Sequence, residues 1–238
     1  MQDIFTKEFQ PKRIIDNPSE EKLREWALEQ GGIITEFGNL SVVTSVRNRI
    51  AKFTEVVMGK ISPEDMELIH KVLEYLRTKE MIKLDRVMCH TPGFKRNCRF
   101  YVTADYPRLP LMWGNTLFPS EGGESDFVVI TVPEWSEKKT LVFPESGLTL
   151  CLGSDYKGEI KKAMLRQVMY WAKQQGNLGL HAASKIIRVY RNGKLRDFGF
   201  LLFGLSGTGK TSLSCHSHWL RPPERVVILI SFSPARRT

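Results

Sequence analysis

Residues 198–220 read FGFLLFGLSGTGKTSLSCHSHWL, an apolar run that breaks into a glycine-rich loop ending in Lys-Thr. Inside it, residues 204–211, GLSGTGKT, match the spacing G-x-x-x-x-G-K-[ST]. Each position in that spacing has a physical job. Gly204, Gly207 and Gly209 permit backbone angles that a side chain forbids, and they let N–H groups approach phosphate oxygens. A helix begun by TSLSCHSHWL would turn its positive end towards the same anion. Lys210 would neutralise the outer phosphates, and the Thr211 hydroxyl would ligate a divalent cation. The bland alternative is a glycine-rich turn with a surface lysine. The strand-like run before the loop and the helix start after it favour the phosphate loop.

Working outward, KIIRVYRNGKLRDFGFLLFG places Asn192-Gly193 between two apolar runs, which predicts a hairpin whose second arm enters the loop. Upstream, YKGEIKKAMLRQVMYWAKQQG predicts a helix with Ile160, Met164, Val168 and Trp171 on one face and Gly176 at its end. Two earlier helices carry start signals. In NPSEEKLREWALEQGG, Asn17 is the expected cap, Pro18 the first helical residue and Glu20 the residue that reaches back, with Leu23, Trp26 and Ala27 facing inward. In SPEDMELIHKVLEYLRTKEM, Ser62, Pro63 and Asp65 repeat the device, and Met66, Ile69, Leu73 and Leu76 form the stripe. LSVVTSV, KFTEVVM, CRFYVTA, DFVVITV and KTLVFPE read as strands of a mixed sheet, and RVVILISF as a last short buried strand. The fold class is α/β: a mixed α+β N-terminal domain over residues 1–184, leading into the start of a phosphate-loop nucleotide-binding domain over residues 185–238.

Composition narrows the function. A hydrophobic share of 42% suits a packed globular chain, and no run approaches the roughly 18 apolar residues a membrane helix needs. The N-terminus lacks a secretory pattern, and the four cysteines form no C-x-x-C pair, so a reduced cytoplasmic setting without structural zinc is expected. The formal net charge of +9 admits anionic partners or simple solubility. There is no polybasic block and no interleaving of aromatic and basic residues, so no nucleic-acid partner and no membrane partner is expected.

FGLSGTGKTSLS resembles the phosphate loop of ATP-type phosphoenolpyruvate carboxykinases. YKGEIKKAM is similar to that family's Tyr-Gly-Gly-Glu-Met-Lys-Lys segment, and LGLHAAS to its Met-His-Cys-Ser segment. The core likeness spans residues 151–214. SVRNRIAKF falls on the family's Gly-Arg-Ser-Pro-Lys segment, with Ile50 in place of serine, and CRFYVTADYPRLPLMWGNTLFP on a basic and aromatic stretch before the core. The resemblance implies the gluconeogenic reaction in which oxaloacetate and ATP give phosphoenolpyruvate, ADP and carbon dioxide. It implies Mn2+ at the substrate and Mg2+ with the nucleotide. Carried over, Lys162 and His181 are metal ligands and catalytic groups, with Thr211 on the nucleotide metal. Arg49, Tyr156 and Lys162 bind substrate. Lys210 acts on the phosphates, and Gly204, Leu205, Ser206, Gly207, Thr208, Gly209, Lys210, Thr211 and Ser212 wrap the triphosphate. Position alone says less: Lys162 lies opposite the apolar face of its helix and reads as a solvated lysine, and His181 reads as a structural histidine. His90 has no partner in the pattern and is expected to be structural.

Two departures from the family stand out. HAASK lacks the Cys-Ser-Ala-Asn wording, and the hairpin after it is longer than the family's. Beyond RVVIL, where the family carries a paired-Asp segment, this chain has SFSPARRT, with no Asp or Glu after Glu224. The expectation is an incomplete copy after a shifted reading frame or a gene break, with weak or no turnover alone and poor folding past about residue 185. Another phosphate-loop kinase or ATPase, or a non-catalytic basic nucleotide-binding remnant, are the alternatives.

Overall fold

The computed structural model describes residues 5, 7–45, 51–204, 208–221 and 223–229. The chain divides into two compact units, residues 1–168 and 169–238.

The first unit is built on one mixed sheet of eight strands. Seven run in the order β1 (Arg13–Asp16), β5 (Glu80–Met88), β6 (Arg96–Thr103), β8 (Phe127–Val132), β10 (Leu148–Leu152), β9 (Lys139–Phe143) and β4 (Thr54–Val56), and β7 (Phe118–Pro119) adds to β5. β5–β6 and β9–β10 are antiparallel, whereas β1–β5, β6–β8, β8–β10 and β4–β9 are parallel. A two-stranded ribbon, β2 (Ile33–Ile34) with β3 (Leu40–Ser41), stands apart.

Helices cover both faces of the sheet. Helix α1 (Glu20–Glu29) precedes the ribbon, and α2 (Pro63–Leu76) precedes β5. Ile69, Val72, Leu73 and Leu76 of α2 pack on Ile130, Val132, Leu141, Phe143, Leu148, Leu150 and Leu152, all buried. Each such side chain contributes about 1.5–3 kcal/mol by leaving water. The residues between them in β6, β8 and β10 point to the opposite face. There α3 (Arg108–Gly114) sets Trp113 5.3 Å from the ring of Phe100. On that same face α4 (Lys157–Gln174) sends the Gln167 amide to the Leu148 carbonyl at 2.8 Å and to Thr149 Oγ1 at 3.0 Å. That amide lets a polar threonine sit inside β10, whose five residues are all buried.

The expected α/β class is what forms, and most expected elements appear. Ser62 caps α2, its Oγ accepting from the Asp65 amide at 3.1 Å, with Pro63 in the first turn. Several expectations are corrected. The cap of α1 is Ser19, whose Oγ accepts from the Lys22 amide at 3.2 Å. Asn17 instead adopts φ 46° and exchanges hydrogen bonds with Asp85 on β5, which leaves Pro18 ahead of the helix. LSVVTSV gives only the two residues of β3, and Val43 lies exposed in irregular chain. KFTEVVM opens as a 3-10 turn, Ala51–Phe53, before β4. α2 ends at Leu76, so Glu80 and Met81 belong to β5 and not to the helix. Strands β1, β2, β5, β7 and β10 were not expected.

The second unit is an antiparallel sheet in the order β12 (Lys194–Phe203), β11 (Ala182–Arg191), β13 (Arg225–Leu229). β11 and β12 form the expected hairpin. Asn192 and Gly193 take φ 51° and 70°, the left-handed geometry that matches strand twist, and the register runs from Arg191↔Lys194 to Ala182↔Phe203. A short helix, α5 (Lys210–Cys215), follows the glycine loop. Leu195, Phe200, Leu201 and Phe203 on β12 are exposed. Among the described residues, no helix is long and apolar enough to cross a membrane.

Candidate active site

In the second unit the two ends of the glycine loop are described, Gly204 and Thr208–Lys210. Gly204 follows β12, and a β-carbon there would sit 2.8 Å from Thr208 Oγ1, so a larger residue would have to turn that hydroxyl aside. Gly209 takes φ 84° as it enters α5, a conformation costly for any residue with a β-carbon. Lys210 reaches back across the loop and its Nζ donates to the Gly204 carbonyl at 2.7 Å. Thr211 and Ser212 lie exposed in the first turn of α5. Leu205, Ser206 and Gly207 lie outside the described residues.

The hairpin adds a relationship that motif spacing does not show. The last pair of its register is Ala182↔Phe203, and one residue beyond that pair on either arm stand His181 and Gly204. Two segments 23 residues apart in sequence thus meet at one end of the sheet, with His181 exposed beside the loop entrance. Antiparallel pairing makes this a consequence of the turn, since a two-residue loop fixes every partner after it.

In the first unit, Tyr156 precedes α4 and its ring lies over Gly158, where a β-carbon would come within 2.4 Å of ring carbon Cζ. Lys162 Nζ stands 5.9 Å from the centre of the Tyr156 ring and 3.4 Å from Glu159 Oε2. Glu159 is buried and is held in turn by Arg166. The solvated lysine suggested by helix position is therefore half-buried, between an aromatic face and a fixed carboxylate.

Asp155 lies beside this group and escaped sequence reasoning. It is 1% exposed, accepts from Arg108 Nη2 at 2.5 Å, and accepts from the Ser45 amide at 2.8 Å. Arg49 lies in 46–50, outside the described residues. A carboxylate at a helix start is a faint signal, and its worth here comes from Arg108, 47 residues away. His90 stacks its ring 4.1 Å from Phe118, a packing role.

The donors for a metal are incomplete. Lys162 belongs to the first unit and His181 to the second, and each carries a nitrogen, while hard divalent cations prefer oxygen. Among the described residues no three His, Cys, Asp or Glu side chains cluster as a metal site.

The profile of the phosphoenolpyruvate carboxykinase family matches residues 12–228. A phosphoenolpyruvate carboxykinase (ATP) from Aeropyrum pernix is 38% identical over 217 residues, covering 90% of this chain and 44% of that protein. One from Oceanobacillus iheyensis is 30% identical over 254 residues, with 88% and 44% covered. A glycosomal one from Trypanosoma brucei brucei is 28% identical over 227 residues, with 81% and 46% covered. The chain spans about half the length of the curated relatives it matches.

Proposed function

This chain belongs to the phosphoenolpyruvate carboxykinase family, and we propose that it carries the substrate-side residues and the phosphate loop of an ATP-dependent carboxykinase. The reaction is the conversion of oxaloacetate and ATP to phosphoenolpyruvate, ADP and carbon dioxide. The observation that carries the reading is the hairpin register, which sets His181 beside the entrance of the phosphate loop.

In this reading residues 1–184 serve the dicarboxylate and residues from 185 onward begin the nucleotide side. Arg49, Tyr156 and Lys162 hold oxaloacetate, with Lys162 set 3.4 Å from Glu159 and giving up its proton where it serves as a ligand. Decarboxylation leaves an enolate, and cationic groups fixed in advance stabilise that charge without reorganising. Lys210 neutralises the outer phosphates while residues 204–212 wrap them, so that the enolate oxygen can attack the γ-phosphoryl group. Lys162 and His181 offer nitrogens to Mn2+, and Thr211 offers its hydroxyl to the nucleotide's Mg2+; these ions supply Lewis acidity when bound. Because no three His, Cys, Asp or Glu side chains cluster among the described residues, donors beyond Lys162 and His181 are required and no step is assigned to that ion. The setting is cytoplasmic, with no nucleic-acid or membrane partner.

Calorimetry with Mg-ATP and Mn-ATP on the 238-residue chain tests this. The expected result is binding that oxaloacetate and Mn2+ alter and that Lys210→Ala weakens at least about tenfold, roughly the loss of one charge-assisted contact. Binding that ignores oxaloacetate and Mn2+ would point to another phosphate-loop kinase. Salt-sensitive nucleic-acid binding that survives Lys210→Ala would point to a basic remnant.

A further inference from the structure

Lys185 is 3% exposed on β11, inside the second unit. A buried ammonium normally answers to a carboxylate. Here its recorded partners are neutral: Nζ donates to the Leu213 carbonyl in α5, and it contacts Nε2 of His218 in the turn that follows. An ammonium has only donors, so Nε2 of His218 must be the acceptor and the ring must be neutral, with its proton on Nδ1. That one side chain therefore fastens three pieces together: β11, which begins next to His181; α5, which carries Lys210 and Thr211; and the turn after α5. The turn is unusual in itself. His218 and Trp219 take φ 55° and 59° in succession, left-handed values uncommon for such bulky residues. The His218 amide donates to His216 Nδ1 at 2.9 Å, and the two imidazoles lie 5.0 Å apart.

We propose that Lys185 is a positioning residue of the phosphate loop, locking α5 to β11 through Leu213 and a neutral His218, so that the grip on nucleotide phosphates loosens when His218 gains a proton. The proposal rests on the phosphate-loop reading given above. A protonated His218 has no lone pair for Lys185 and sets a second cation against it. The groups that act on the His218 ring are Lys185 from β11 and His216 from the same turn, and no carboxylate among the described residues offsets them. Partial desolvation, then Lys185, then His216 all push the His218 pKa below its ordinary 6.5. A depressed histidine pKa means that the unfolded or unlocked state takes up the proton first. The lock is therefore complete above about pH 6.5 and is lost as the pH falls below it.

Two measurements on the full chain test the proposal. The first needs no nucleotide. Long-range proton–nitrogen NMR of the imidazoles, assigned with His218→Gln, reads the His218 tautomer and its titration in wild type and in Lys185→Met. The expected result is an Nδ1–H tautomer whose titration midpoint lies below about 6.5 and moves up in Lys185→Met. An unchanged midpoint, or an Nε2–H tautomer, overturns the lock. The second is calorimetry with MgADP at about pH 8 and about pH 5.5. Wild type should lose about tenfold more affinity on acidification than His218→Gln, which keeps an acceptor but cannot take the proton; the nucleotide's own titration is common to both. Lys185→Met should bind about tenfold more weakly at about pH 8. Equal acid losses in wild type and His218→Gln overturn the proposal with the phosphate-loop reading intact. No MgADP binding by wild type at either pH overturns that reading, and the nucleotide half of the proposal with it.

Discussion

The ring of Tyr156 occupies the space that a β-carbon on residue 158 would need, with Cζ 2.4 Å from that position. Gly158 is thus a site at which helix propensity and site geometry conflict. Alanine there improves the helix by up to about 1 kcal/mol, yet it forces the ring aside. Gly158→Ala should leave the thermal midpoint level or slightly raised while oxaloacetate affinity falls at least about tenfold, given how steeply activity depends on placement. Differential scanning calorimetry paired with oxaloacetate binding checks both halves. Unchanged binding would remove Tyr156 from the substrate site.

The Arg108–Asp155 pair should matter more to stability than any surface pair. Its side chains are 13% and 2% exposed, so deleting one partner strands the other. Asp155→Ala should cost about 3–5 kcal/mol, whereas the double replacement Asp155→Leu with Arg108→Met should recover most of that loss. Urea unfolding of the two variants measures it. The single variant should also free the Ser45 amide, which hydrogen exchange at that residue reads directly.

Thiol chemistry should sort the cysteines cleanly. Burial pushes the Cys98 and Cys151 thiols up to about 12, Cys89 is also buried, and Cys215 at the end of α5 is exposed. Native protein should expose one fast-reacting thiol to a disulfide reagent and four after denaturation. Nucleotide should slow that one reaction, because Cys215 sits on the helix that begins with Lys210.

Acid should weaken the first unit through Asp85. Burial alone would raise its carboxyl, but hydrogen bonds from Arg99 and Asn17, with the charges of Arg99 and Lys83, outweigh it and hold the pKa below its ordinary value. A lowered folded pKa gives stability that is present above the unfolded value of about 3.9 and drains away as pH falls through the folded one. Asp85→Asn should flatten the stability curve below about pH 4 while lowering its plateau near neutrality. Thermal melts across that range check the sign.

Local signals were readable where a few adjacent residues settle the matter. Asn192-Gly193 fixed a hairpin because only left-handed residues suit its turn, and Ser62-Pro63 fixed a helix start. Gly209 follows the same logic, since its φ of 84° suits a residue without a β-carbon. Strand β10 was hidden because all five of its residues are buried, so they do not alternate, and β5 because the helix pattern before it was carried on to Met81. Asn17 misled because its value is tertiary: the same side chain that can cap a helix is spent on Asp85, 68 residues away. Asp155, Glu159 and Lys185 escaped for a like reason, since each is given its meaning by a partner that the sequence does not place beside it.

The β11–β12 hairpin acts as a ruler with its zero at the site and its free end at Asn192-Gly193. Residues added or removed in matched pairs next to the turn lengthen or shorten the ribbon at the far end and leave His181 facing Gly204. A single residue added to one arm shifts the scale and turns alternate side chains to the wrong face. A change of length beside the turn is therefore tolerable drift, because evolution can edit the blank end of a ruler without disturbing the marks that are read.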